Sequence, residues 1–193
     1  GAPAVYWEQG GWGVVRGVAA KGDALYAASQ GRGLITTDAA FDILDVAPTS
    51  GVGTDYGGWD VYVREDLLFF SDARAGFSLF DISSPKAPEL LAEVRPDGTD
   101  FVDGAAFDEH IAYVCDGNNS LRAYDLSSPS APVQVGSAYL NTTVGGCFQL
   151  ALGDGVVYVA GSNGLGVVDA SDPSALYVAG LVVLPGQYGL GGI

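Results

Sequence analysis

The chain has no methionine, one histidine, two cysteines and only 8 lysines and arginines among its 193 residues. Each scarcity excludes something. With His110 as the single histidine, a Ser-His-Asp relay has one position for its base. That position, in Asp108-Glu109-His110, reads as a solvated hairpin tip rather than a buried, oriented site. Two cysteines and one distant histidine make a poor zinc ligand set. The few cations face 23 Asp and Glu, for a net charge of −15. Such a surface repels phosphate backbones and anionic headgroups, which argues against nucleic acid and lipid surfaces as partners. The longest apolar candidate, Ala179 to Leu184, is strand-sized, far short of the roughly 18 residues that cross a bilayer. Lack of methionine, even at Gly1, gives the expectation of a trimmed or partial chain with any leader already removed.

What is abundant points to β-structure. Hydrophobic residues make up 48% and charged residues 16%, which excludes a disordered chain. The 29 glycines imply many tight turns. Of the acids, 18 are Asp and 5 are Glu. Asp favours turns, so the negative charge is expected in loops, where it keeps a β-protein soluble or attracts cations and basic proteins.

A repeat is visible. Strand-like segments end on Asp38, Asp81, Asp125 and Asp169, at spacings of 43, 44 and 44 residues. Upstream of each stands an aromatic in an apolar strand, Tyr26, Phe69, Tyr113 and Tyr158, at spacings of 43, 44 and 45. Two independent markers share one period. The last repeat shows the internal plan. Phe148 to Leu152 is a strand, Gly153-Asp154-Gly155 a turn, and Val156 to Ala160 a second strand. A Gly/Asn loop at 161–164 leads to Leu165–Asp169, Ser171-Asp172-Pro173 turns, and Tyr177 to Leu184 forms the fourth strand. No stretch has a 3.6-residue period, so no helix is expected. Four-stranded antiparallel units at this period are what propeller blades require, and blades bury both faces only by stacking; a linear β-solenoid is the rival, with a shorter usual period. The expected fold is therefore all-β: a single domain over 1–193, with four blades of four-stranded antiparallel sheet in repeats at about 12–52, 53–97, 98–141 and 142–186.

After each strand-ending Asp comes a recurrent turn: Phe80-Asp81-Ile82-Ser83-Ser84-Pro85-Lys86-Ala87-Pro88, Tyr124-Asp125-Leu126-Ser127-Ser128-Pro129-Ser130-Ala131-Pro132 and Val168-Asp169-Ala170-Ser171-Asp172-Pro173. With these motifs the chain resembles the LVIVD-repeat family over nearly its whole length. The first repeat departs, reading Ala39-Ala40-Phe41 after Asp38. The resemblance implies a propeller from a mostly bacterial and archaeal group of exported proteins, and it implies no single activity. Ala2-Pro3-Ala4-Val5-Tyr6-Trp7 resembles the opening of a fourth strand, and Gln187 to Ile193 stops where a next first strand is due. The expectation is a window from a larger propeller of about six to eight blades; closure in trans by two chains is the alternative.

Several residues are candidates for chemistry. Cys115 ends a second strand and Cys147 precedes the next first strand, so a meander places them in neighbouring blades at the same end. They are either a disulfide, which fits an oxidising compartment, or two buried thiols. The recurrent Asp38, Asp81, Asp125 and Asp169 are expected to cap the following turn. No cofactor is implied; a loose calcium site near Asp72 or Asp116 is the one metal reading, although Asp116-Gly117-Asn118-Asn119-Ser120 lacks the ligand spacing of an EF-hand. Aligned by repeat, Arg16, Asp60, Asp103 and Gln149 open the first strands, which face a propeller's central channel. With Trp59 they form the candidate channel-face binding set; Trp7 and Trp12 fall off this pattern. Asn118-Asn119-Ser120 and Asn141-Thr142-Thr143 match the N-glycosylation acceptor pattern.

No catalytic constellation emerges. The expected function is a non-enzymatic binding or structural module of a secreted, cell-surface or periplasmic protein, engaging another protein or a glycan. The alternatives are an architectural subunit of a larger assembly, or the scaffold of an enzyme whose catalytic residues lie elsewhere.

Overall fold

The computed structural model describes residues 14–51, 57–97, 101–108, 110–117, 119–140 and 143–182. Trp7, Trp12, Asn118, Asn141, Thr142 and both chain ends fall outside this set, as do Val183 and Leu184 of the expected last strand.

Among the described residues sixteen strands form four antiparallel sheets in simple meander order. The first contains β1 (Val15–Lys21), β2 (Ala24–Ser29), β3 (Gly33–Asp38) and β4 (Ile43–Ala47). The second contains β5 (Asp60–Arg64), β6 (Leu67–Ser71), β7 (Phe77–Asp81) and β8 (Glu89–Val94). The third contains β9 (Val102–Phe107), β10 (Ile111–Asp116), β11 (Ser120–Asp125) and β12 (Val133–Tyr139). The fourth contains β13 (Gln149–Leu152), β14 (Val156–Gly161), β15 (Gly164–Asp169) and β16 (Tyr177–Val182). Among the described residues one 3-10 turn, Ala73–Ala75, is the sole helical segment. The chain divides into two compact units, Gly1–Val102 and Asp103–Ile193.

The turns follow from their residues. Gly22 (φ 61°) and Gly155 (φ 68°) close two of the first hairpins in the left-handed region that glycine enters at little cost. Each third strand ends because its Asp captures the chain beyond it. Asp81 Oδ1 accepts from Ser83 N at 2.7 Å, Asp125 Oδ1 from Ser127 N at 2.8 Å and Asp169 Oδ1 from Ser171 N at 3.0 Å. Asp38 does the same with Ala40 N (2.9 Å) and Asp42 N (3.0 Å), although its turn lacks the Ser-x-Pro sequence. These are the Asx turns expected from the recurrent aspartates. One register shift recurs in every blade at one position, Thr36/Thr37, Leu79/Phe80, Ala123/Tyr124 and Val167/Val168. A bulge there strengthens the twist of the outer hairpin.

Packing within each unit uses repeated positions. In the first unit, Ala24, Tyr26, Ala28 and Leu34 of the first blade are buried with Val61, Leu68, Phe70, Phe80 and Ile82 of the second. The Tyr26 hydroxyl donates to the Pro85 carbonyl at 2.8 Å, so the ring spans the seam and ends on the neighbouring blade's turn. In the second unit, Tyr113, Cys115 and Leu121 occupy the places of Tyr26, Ala28 and Leu34 and, with Ala123, meet Val157, Val159, Val168 and Ala170. Each large side chain in these seams contributes about 1.5–3 kcal/mol by leaving water.

Candidate functional site

Arg16 is the extra residue of a β-bulge. Val15 pairs with Ser29 and Gly17 with Ala28, leaving Arg16 without a place in the ladder. Bulges re-aim side chains, and here the guanidinium carbon lies 4.1 Å from the centre of the Trp59 ring. This cation–π contact joins the first strands of the first two blades. Trp59 is half-buried, and its backbone N–H donates to the Ser71 carbonyl at 2.7 Å. Phe101 meets the indole edge to face, with centroids 6.2 Å apart. Beside it the Asp60 carboxylate accepts from the Tyr62 hydroxyl at 2.8 Å. Gly17 explains the close approach: a Cβ there would stand 2.6 Å from Asp60 Cα and 2.8 Å from Val61 N. The first unit therefore brings three of the five channel-face candidates, Arg16, Trp59 and Asp60, into one cluster.

The second unit repeats the approach with different chemistry. Gly104 stands at the position of Gly17, and a Cβ on it would lie 2.5 Å from the Phe148 carbonyl oxygen and 3.2 Å from Gln149 Cα. Asp103 and Gln149 thus flank one close contact between β9 and β13. Gln149 is exposed. Asp103 is half-buried, and desolvation holds its carboxyl above the usual carboxylate range.

Cys115 and Cys147 are joined by a disulfide, with Cα atoms 5.2 Å apart and a sequence separation of 32. Both are buried in the second unit's seam, so the bond ties the third blade to the fourth.

Two buried aspartates were singled out in the sequence only for calcium. Asp72 accepts from Gly51 N (2.8 Å) and Gly58 N (3.0 Å), closing the connection from the first blade to the second. Asp116, at the equivalent position, accepts from Ser120 N (2.9 Å) and from Arg122 Nε (2.6 Å). Among the described residues no three His, Cys, Asp or Glu side chains gather as a metal-ligand group. The 44-residue interval between Asp72 and Asp116 is the sequence signal for this shared role. His110 sits exposed at its hairpin, its backbone N–H donating to Asp108 Oδ1 at 3.0 Å.

A family model described as the LVIVD repeat matches residues 57–95, 106–139 and 149–183. No curated protein matches the chain. Among solved structures it is similar to U3-55K (15% identity, TM-score 0.69, covering 88% of this chain and 53% of that one). It is similar to the RRP9 WD40 repeats (15%, TM-score 0.68, 88% and 52%). It is also similar to the computationally designed Ika4 protein (9%, TM-score 0.64, 82% and 92%). The chain thus spans nearly all of Ika4 and about half of the other two, and the likeness establishes propeller blades as its fold.

Proposed function

Because the chain belongs to the LVIVD-repeat family, whose blades give a binding or scaffold architecture and no activity of their own, we propose that it is a non-enzymatic module of an exported or cell-surface protein that holds a polypeptide partner at the first-strand ends of its blades. The observation that carries this reading is the bulged Arg16 set on Trp59 beside Asp60. A bulge, a cation–π pair and an acid at the first-strand edge form a small, oriented, mixed-charge surface, the kind in which Arg and Trp act as binding anchors. A protein fits this site better than a glycan. Sugars stack on an open aromatic face, whereas the indole carries Arg16 over its ring and Phe101 against it. The net charge of −15 favours a partner with a basic surface.

Export is supported by the Cys115–Cys147 disulfide, because such bonds persist in oxidising compartments. A non-enzymatic role is supported by the exposed hairpin position of the single histidine. No helix among the described residues is long and apolar enough to cross a membrane.

The test is site-specific photo-crosslinking in the source organism. A photoreactive residue at position 16 or 60 is expected to capture a discrete polypeptide, and one at position 89, on the exposed outer strand β8, is not. Capture from position 89 alone would overturn the placement. Substrate turnover abolished by Asp60→Asn would overturn the non-enzymatic reading.

A further inference from the structure

Acids outnumber Lys and Arg by 23 to 8 in this chain, so its surface cations readily find a carboxylate. Lys21 pairs with Asp66, Lys86 with Asp23 at 2.6 Å and Arg122 with Asp116 at 2.6 Å. Arg16 departs from this pattern. Its guanidinium lies over the Trp59 ring, and it has no hydrogen-bond or ion-pair partner among the described residues. An aromatic ring offers no lone pair to a fork of five N–H donors, so the donors of this exposed arginine are unspent. Asp60, which opens β5, does not take them. Its Oδ1 accepts from Val61 N at 2.8 Å and its Oδ2 from the Tyr62 hydroxyl at 2.8 Å.

The fold holds this arginine in place. The bulge takes Arg16 out of the β1–β2 ladder, and the indole under it is itself fixed. The Trp59 backbone N–H is bonded to the Ser71 carbonyl, and Phe101 braces the ring edge to face. All of these residues belong to the first unit. A donor fork that is oriented before binding loses less conformational freedom when an acceptor arrives.

We propose that the stacked Arg16 is a carboxylate receptor, whose fork takes one carboxylate of the partner, side-chain or C-terminal, in two parallel N–H···O bonds. This rests on the polypeptide-partner reading above and names the group that the partner brings to the site. The planar guanidinium matches the two oxygens of a carboxylate and keeps that match while stacked on an aromatic face. A monoanion is favoured over a dianion such as phosphate. The site presents one unpaired positive charge beside Asp60, on a chain of net charge −15, and that field repels each further negative charge. The same field draws a basic partner from a distance, and the carboxylate fixes where that partner sits.

Nuclear magnetic resonance titration of the purified, disulfide-bonded chain at constant ionic strength tests this. The probes are N-acetylglycine for a C-terminal carboxylate, N-acetylglutamate α-amide for a side-chain carboxylate, and inorganic phosphate. The Arg16 Nε–H and Trp59 indole N–H resonances are followed. A carboxylate probe is expected to shift both saturably, with half-saturation at about 10–100 mM. Arg95, an exposed arginine of the same unit, should drift without saturating. Saturation by either carboxylate supports the proposal, and the tighter of the two names the source. Arg16→Lys keeps the charge at an exposed position but loses the fork, and should weaken binding read at Trp59 by at least about fivefold. Saturation by neither carboxylate, equal affinity in Arg16→Lys, or phosphate binding tighter than both would overturn the proposal. Such a failure with photo-capture from positions 16 and 60 intact leaves the partner site standing. Loss of that capture with carboxylate binding intact overturns the partner reading instead.

Discussion

Removing the Cys115–Cys147 bond with the pair Cys115→Ala and Cys147→Ala should be the most costly simple change in the second unit. The bond spans 32 residues, and in the chain-entropy treatment a loop of that length contributes about 3.5–4 kcal/mol at 25 °C. A domain's whole stability is about 5–15 kcal/mol, so the loss leaves the unit close to unfolding. With a urea slope of about 1–3 kcal/mol/M, the midpoint should fall by about 1–4 M. Alanine is the right replacement because both positions are buried, and serine would add unpaired hydroxyls. The three tryptophans, Trp7, Trp12 and Trp59, all precede Asp103, so their emission reports poorly on this unit. Amide hydrogen exchange of β10 and β14 reports on it directly. Wild type in reductant should approach the variant, and the variant should ignore reductant. A variant midpoint within about 0.3 M of wild type would refute the claim that this bond holds the third blade to the fourth.

Other substitutions separate the remaining claims. Gly17→Ala and Gly104→Ala each drive a Cβ into neighbouring backbone and should cost about 1–3 kcal/mol in chemical denaturation, whereas Gly180→Ala, with nothing within 4 Å, should be neutral or stabilising by up to about 1 kcal/mol. Arg122→Ala leaves the buried Asp116 carboxylate without its guanidinium and should cost about 3 kcal/mol. Tyr26→Phe removes the hydroxyl bonded to Pro85 and should cost about 1 kcal/mol. Desolvation pushes the Tyr26 pKa up to about 12. Its neutral form is favoured by folding, so its contribution is full below the ordinary tyrosine range and is lost as pH rises toward 12, visible as a late step in a spectrophotometric titration. The carboxyls of Asp81, Asp125 and Asp169 are held below the usual range, Asp81 chiefly by the Ser83 N–H and the other two by the Ser127 and Ser171 hydroxyls and N–H groups. Their contribution is present above the unfolded carboxylate pKa of about 4 and is lost as pH falls through the lower folded values. Asp103, shifted the other way, should favour folding slightly as pH falls toward that range. Melting temperature against pH, for wild type and Asp103→Asn, distinguishes the two trends.

The repeat plan was legible because its markers are local. A strand ending in Asp, an Asx turn and an aromatic strand are each written within a few residues, and tandem recurrence multiplies a weak signal. The cysteine pairing was narrowed by meander geometry alone, which puts the end of one second strand beside the start of the next first strand. Bulges and buried hubs were not legible. Arg16 looked like one polar residue among four strand openings; its displacement from the ladder depends on how Gly17 packs against Asp60. Asp72 looked like a loop acid because its partners, Gly51 and Gly58, lie in a connection whose path no local rule fixes. Tyr26 and Tyr158 occupy the same repeat position, yet one is fully buried and the other exposed. A repeat position fixes the residue type, whereas its burial depends on packing beyond its own strand.

Native mass spectrometry of the protein drawn from its source without reductant tests the central claim most directly. The account predicts a chain linked through Cys115 and Cys147, isolated in stoichiometric complex with a different, basic polypeptide and released from it by Arg16→Ala, which removes the anchor on Trp59. A chain with two alkylatable thiols and no such partner would contradict both the export reading and the binding role.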